Sequence, residues 1–108
     1  MPVINSTSTS FQSDALDVKN KPVIVDFWAP WCGPCQMQGP ILDQFAKDIG
    51  DKAVIIKVNV DDSPDLASQY GIMSIPALKI FKNGELVEEM VGVHSKPQLL
   101  EVVERHTS

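Results

Sequence analysis

The chain has 108 residues, 44% hydrophobic and 21% charged, which is the size and composition of one soluble globular domain spanning 1–108. Nine basic against fourteen acidic side chains leave a formal charge of −5, which argues against a nucleic acid or an anionic membrane surface as partner. Two cysteines are too few for a disulfide scaffold or a four-cysteine zinc site, so no metal is expected. No run reaches the about 18 apolar residues of a membrane span. Met1 to Ser10 has no basic residue and no apolar block. No signal peptide is therefore expected, and a cytoplasmic location is the default.

Val3 to Asn5 suggests an edge strand at the start. Ser6 to Ser10 is a hydroxyl-rich loop whose last members can cap a helix. Phe11, Ala15, Leu16 and Val18 follow at roughly helical spacing and predict a short first helix. Pro22 to Ala29 is apolar without alternation and rich in β-branched and aromatic residues, the pattern of a central strand covered on both faces. Asp26 stands alone in its middle. After Pro34 the period changes, and Met37, Ile41, Leu42, Phe45, Ala46 and Ile49 define one apolar helical face ending at Gly50. Pro40 lies inside this helix and removes a donor, with Gly39 beside it easing a kink.

Ala53 to Val60 predicts a second core strand. Ser63-Pro64 reads as cap and first residue of a short helix that ends before Gly71. Ala77 to Phe81 is a further strand, joined through the Asn83-Gly84 turn to an antiparallel Leu86 to Val91. Ser95 and Gln98 form a capping box, after which Leu99, Leu100, Val102 and Val103 face a core. The result is an α/β fold: a mixed sheet of about five strands with about four helices on its two faces. His94, His106, Met37 and Met90 read as surface or packing residues, and Asp61, Asp62 and Asp65 as a solvated acidic face.

Both cysteines fall in Trp31-Cys32-Gly33-Pro34-Cys35, where the central strand gives way to the long helix. Two intervening residues in a first helical turn let the sulfurs bond. A sulfur at a helix N-terminus meets free N–H groups and the positive end of the dipole, so the Cys32 pKa is expected to fall. Only a thiolate attacks a disulfide. Cys32 is accordingly the expected nucleophile and Cys35, one turn further in, the resolving thiol. A base near Cys35 would help resolution. Asp26 is the candidate: burial raises a carboxyl pKa toward neutrality. The other reading is a buried carboxylate satisfied by hydrogen bonds or by Lys57. Ile75-Pro76 reads from its residues alone as an ordinary trans turn.

Phe27-Trp28-Ala29-Pro30-Trp31-Cys32-Gly33-Pro34-Cys35 after an apolar strand containing Asp26 resembles the thioredoxin family, and the resemblance covers essentially the whole chain. Pro40, Lys57, Ser74-Ile75-Pro76, Phe81-Lys82-Asn83-Gly84 and Val91-Gly92 fall in the family's order. The resemblance implies a thioredoxin fold and a protein-disulfide reductase with no bound cofactor. It implies that Asp26 is the buried acid serving Cys35, modulated by Lys57, and that Ile75-Pro76 is cis. Trp31, Gly33, Pro34, Ile75, Pro76, Gly92 and Val93 would form the surface that receives disulfide-containing client proteins. Electrons would come from NADPH through a flavin-dependent thioredoxin reductase, and the chain would be a monomer.

Gln36 stands where the family often has Lys, Gln38-Gly39 replaces a more apolar pair, Ala77 replaces Thr, and Lys79 puts a charge in an apolar strand. Met90 adds exposed apolar surface near the client face. These departures bear on tuning and partner choice. Two alternatives accompany the reductase reading: a redox-independent binding or scaffold subunit, and a disulfide isomerase or oxidant. Gly33-Pro34 and the missing signal peptide weigh against the last.

Overall fold

The computed structural model describes residues 3–107; Met1, Pro2 and Ser108 of the expected 1–108 domain lie outside the described residues. Five strands form one sheet: β1 (Ile4–Ser6), β2 (Pro22–Trp28), β3 (Val54–Asn59), β4 (Ala77–Lys82) and β5 (Glu85–Val91), in the order β1-β3-β2-β4-β5. The β1–β3 and β3–β2 pairs are parallel, and β2–β4 and β4–β5 antiparallel. Three α-helices are present among the described residues: α1 (Gly33–Ile49), α2 (Pro64–Gln69) and α3 (Lys96–Arg105). The short first helix is a single π turn, Gln12–Leu16, so Val18 lies beyond its end.

β2 is hydrogen-bonded on both edges and buried along its length up to Trp28. Its side chains alternate between two cores, as the pleat requires. Ile24 joins Leu42, Phe45 and Ile49 of α1 and Leu99, Val102 and Val103 of α3. Val23, Val25 and Phe27 join Phe11 and Ala15 of the π-turn segment and Leu66 of α2 on the opposite face. Rings of Phe11, Tyr70 and Phe81 meet there with centroids 5.5 to 5.9 Å apart. Asp26 is in phase with Ile24, so it faces the α1 side.

Several local expectations change. The hydroxyls of Ser6 to Ser10 do not cap the first helix: its N-cap is Phe11, with no side-chain bond. They bond one another instead, and the Ser8 hydroxyl reaches Asp65. Ser63 does hold the N-cap position of α2, but its hydroxyl is spent on the Ser8 N–H at 3.2 Å, stapling the first loop to α2. On α1, Met37 is 64% exposed while Gln38 is fully buried. On α3, Leu100 is 42% exposed, since Leu99, Val102 and Val103 already make one face. Met90 is half-buried against the α1/α3 core rather than standing out from the surface. Lys79 is buried beside β5 and ion-paired with Glu89, its register partner.

The punctuation is as expected. Gly50 ends α1 with φ of 61°. The Ser95–Gln98 capping box is complete, and Pro40 lies within an uninterrupted α1. His106 is the C-cap of α3 and bonds Glu88 of β5 at 2.8 Å, beside the Arg105–Glu88 pair.

The β4–β5 turn has Asn83 at φ 53° and Gly84 at φ 80°, the left-handed pair that a two-residue hairpin turn needs. A Cβ at Gly84 would lie 2.9 Å from the Leu16 carbonyl oxygen. Gly84→Ala is therefore expected to cost more than about 1 kcal/mol, read as a lower urea midpoint at unchanged slope. An unchanged midpoint would contradict the strain argued here.

Candidate active site

The end of β2 delivers the chain through Ala29, Pro30 and Trp31 to Cys32, which is extended (φ −91°, ψ 112°) and is the N-cap of α1. The capping group is its sulfur, which accepts the Cys35 N–H at 3.2 Å. Serine or aspartate oxygens usually do this. A sulfur so placed is held at the positive end of a helix of 17 residues, the setting that favours a thiolate. Pro34 sits within the first turn, where no intrahelical donor is required of it. Cys32 and Cys35 form a disulfide with Cα atoms 5.2 Å apart.

Exposure does not separate the two cysteines, at 5% and 3%. Their neighbours do. The Cys32 sulfur lies 3.7 Å from the Ile75 carbonyl oxygen. Around the pair, Trp31, Gly33 and Pro34 are exposed. The Ile75-Pro76 bond is cis, as the resemblance implies and against the trans turn read from the residues alone. Gly92 donates its N–H to the Pro76 carbonyl at 2.8 Å, which draws the Gly92-Val93 loop to the same end of the sheet. The indole Nε1 of Trp31 donates to Asp61 at 3.1 Å, so Asp61 has a structural partner and is not merely solvated.

Cys35 faces the other way. It lines a cavity of about 250 Å³ together with Asp26, Trp28, Gly39, Asp43 and Lys57. β2 and β3 pair in a register that puts Asp26 beside Lys57, both on the α1 side of the sheet. Asp26 is 1% exposed, and its Oδ1 has no hydrogen-bond partner among the described residues. Lys57 does not satisfy it by a hydrogen bond. The ammonium bonds Asp43 Oδ1 at 2.9 Å and the Gly39 carbonyl at 3.4 Å. Burial pushes the Asp26 carboxyl up to about 7, and the Lys57 charge offsets only part of that. A carboxyl poised there exchanges protons near neutral pH, in a cavity shared with Cys35.

Trp31, Gly33 and Pro34 adjoin the cysteines in the chain, Ile75 borders the Cys32 sulfur, and Gly92 is tied to Pro76, with Val93 next to it in the chain; Asp26 and Lys57 line the cavity of Cys35. Asp61, Asp43 and Gln38 are the neighbours that sequence reasoning missed. Asp61 reads as part of a solvated acidic face and Gln38 only as a departure from a more apolar pair, and no spacing marks any of the three as a partner.

The thioredoxin family profile matches residues 2–105. The chain belongs to the thioredoxin family. It is 48% identical over 101 residues to a thioredoxin of Chlorobaculum thiosulfatiphilum, covering 94% of this chain and 93% of that protein. It is 48% identical over 100 residues to thioredoxin 1 of Nostoc sp. PCC 7120, covering 93% and 92%. A Bacillus subtilis thioredoxin is 42% identical over 106 residues, covering 98% and 99%. The mixed sheet and its flanking helices are the thioredoxin fold, and the chain is a protein-disulfide reductase that works by dithiol–disulfide exchange. No described helix is long and apolar enough to cross a membrane.

The fold holds Asp26 protonated where the unfolded chain would release the proton, between pH 3.8 and about 7. Stability therefore falls as pH rises through that window and is flat above it. Asp26→Leu is expected to raise the unfolding free energy by on the order of 4 kcal/mol at about pH 8.5, and far less near pH 4. Denaturant unfolding at both values checks this. A gain of the same size at both would remove the titration as its cause.

Proposed function

We propose that Cys32 is the nucleophile, Cys35 the resolving thiol and Asp26 the base that frees it. The Cys32 thiolate attacks one sulfur of a client disulfide, forming a Cys32–client bond and expelling a client thiolate. Asp26, as carboxylate, takes the Cys35 proton. The Cys35 thiolate then attacks the Cys32 sulfur, closing the Cys32–Cys35 disulfide and releasing the second client thiolate. Two electrons pass from the chain to the client, and two protons complete the client thiols. The observation that carries this assignment is the asymmetry of the pair: Cys32 is capped by an N–H and borders the cis-proline loop, while Cys35 shares its cavity with Asp26.

Trp31, Gly33, Pro34, Ile75, Pro76, Gly92 and Val93 are the client surface in this reading. Lys57 holds down the Asp26 pKa by its charge while anchored to Asp43. The chain acts as a single monomeric domain over 1–108, in the cytoplasm, carrying electrons from NADPH by way of a thioredoxin reductase to disulfide-containing proteins. It takes no bound cofactor or metal, no nucleic acid and no membrane. The formal charge of −5 supports the exclusion of nucleic acid and of an anionic membrane surface as partners.

Cys32→Ser is expected to abolish insulin reduction, and Cys35→Ser to accumulate a client mixed disulfide. Asp26→Asn is expected to slow client release by on the order of 10²-fold at neutral pH. The loss should shrink as pH rises, because hydroxide then takes over removal of the Cys35 proton. Full activity in Cys32→Ser would refute the assignment. A pH-independent Asp26→Asn defect would refute the role of the base. NADPH consumption with a thioredoxin reductase tests the electron source.

A further inference from the structure

Gln38 is fully buried on α1, one turn beyond Cys35, at a place where an apolar side chain of the same volume would fill the core. Burying an amide is costly unless both of its ends are used. Both are. Its Oε1 accepts the His94 N–H at 2.7 Å, and its Nε2 donates to the His94 carbonyl at 3.1 Å. The two bonds fix which end of the amide is which, since an N–H must meet oxygen and a carbonyl must meet nitrogen.

His94 passes the constraint on. Its Nδ1 lies 2.9 Å from the Gly92 carbonyl, which can only accept, so Nδ1 carries a proton. Gly92, with φ of 94°, donates its own N–H to the Pro76 carbonyl. The preceding residue, Ile75, borders the Cys32 sulfur. A continuous line of hydrogen bonds thus runs from the helix that carries Cys35, through the Gly92–His94 loop, to the cis-proline loop. It brackets Val93 on both sides.

We propose that Gln38 is a positioning residue for client binding. Its two bonds to the His94 backbone hold the Gly92-Val93 segment at the height and angle that a client meets beside the disulfide. Gln38 touches no reacting atom and acts through His94 and Gly92. The inference rests on the reading of Gly92 and Val93 as client surface, and it makes that loop a fixed platform rather than a flexible flap. It also gives the departure at Gln38-Gly39 a purpose that core filling does not.

The test is steady-state reduction of insulin by the full chain, with KM and kcat resolved separately. Gln38→Leu is expected to raise KM roughly fivefold, the loss of about one net hydrogen bond, with kcat changed less than about twofold. Amide exchange at His94 should speed up while exchange along β2 stays as it was. His94→Ala, which removes the ring bond to Gly92 without touching α1, should raise KM in the same direction. The double variant should be no worse than the poorer single one, because both cut the same line.

Val93→Asp, on the client surface itself, separates the two levels of the argument. If Val93→Asp raises KM and Gln38→Leu does not, the positioning role is overturned and the client surface stands. If Val93→Asp leaves KM unchanged, the surface reading falls, and this inference falls with it. Equal losses in kcat, with faster exchange throughout the sheet, would make Gln38 a structural residue and overturn the proposal. Should Gln38→Leu fail to fold, an unchanged KM in His94→Ala overturns it alone.

Discussion

Strand β2 is hydrogen-bonded along both edges and covered on both faces, so it has no freedom to shift register. A slip of one residue would carry Ile24 and Asp26 into the opposite core and Val23, Val25 and Phe27 onto the α1 side. Everything functional is placed relative to this strand. Its last residues aim Cys32 at the start of α1. Its pairing with β3 sets Asp26 beside Lys57, and its alternation turns both toward α1 and Cys35. The active site sits where the central strand of the sheet ends.

The buried polar groups show how the interior treats exceptions. Ser63, Gln38 and Lys79 each have a partner: the Ser8 N–H, the His94 backbone and Glu89. Those bonds tie separate segments together, and the desolvation each group suffers is offset by what it joins. Asp26 is treated differently. One of its oxygens has no partner among the described residues, and the nearby ammonium is engaged by Asp43 and the Gly39 carbonyl. The carboxyl therefore stays protonated up to about pH 7. The fold gives up stability at this one position, and the cavity that causes the loss is also the cavity that holds Cys35.

Much of this was legible in the residues because the signals are local. Apolar composition without alternation marks β2, a change of period after Pro34 marks α1, Asn83-Gly84 marks a hairpin, and Ser95 with Gln98 marks a cap. Each reports interactions among residues a few positions apart. The misreadings have the opposite character. Met37 and Gln38 are neighbours on α1, and hydrophobicity put the wrong one inside. What decides is a loop 56 residues away that offers Gln38 two backbone groups. Ser63 looked like a capping side chain, but its hydroxyl is claimed by Ser8, 55 residues away. The cis state of Ile75-Pro76 came from family resemblance, because proline alone leaves trans favoured.

By itself the sequence determined the chemistry: two thiols two residues apart at a strand-to-helix junction, in a chain whose apolar periods suffice to build a core without them. Those facts depend on near neighbours, and near neighbours are what a sequence displays. Only the tertiary structure decided which groups surround the sulfurs. Asp26 reaches the cavity of Cys35, Ile75 reaches Cys32, and Gln38 reaches His94 through sheet register and helix packing. Those distances are fixed only when all the strands and helices bury their faces together.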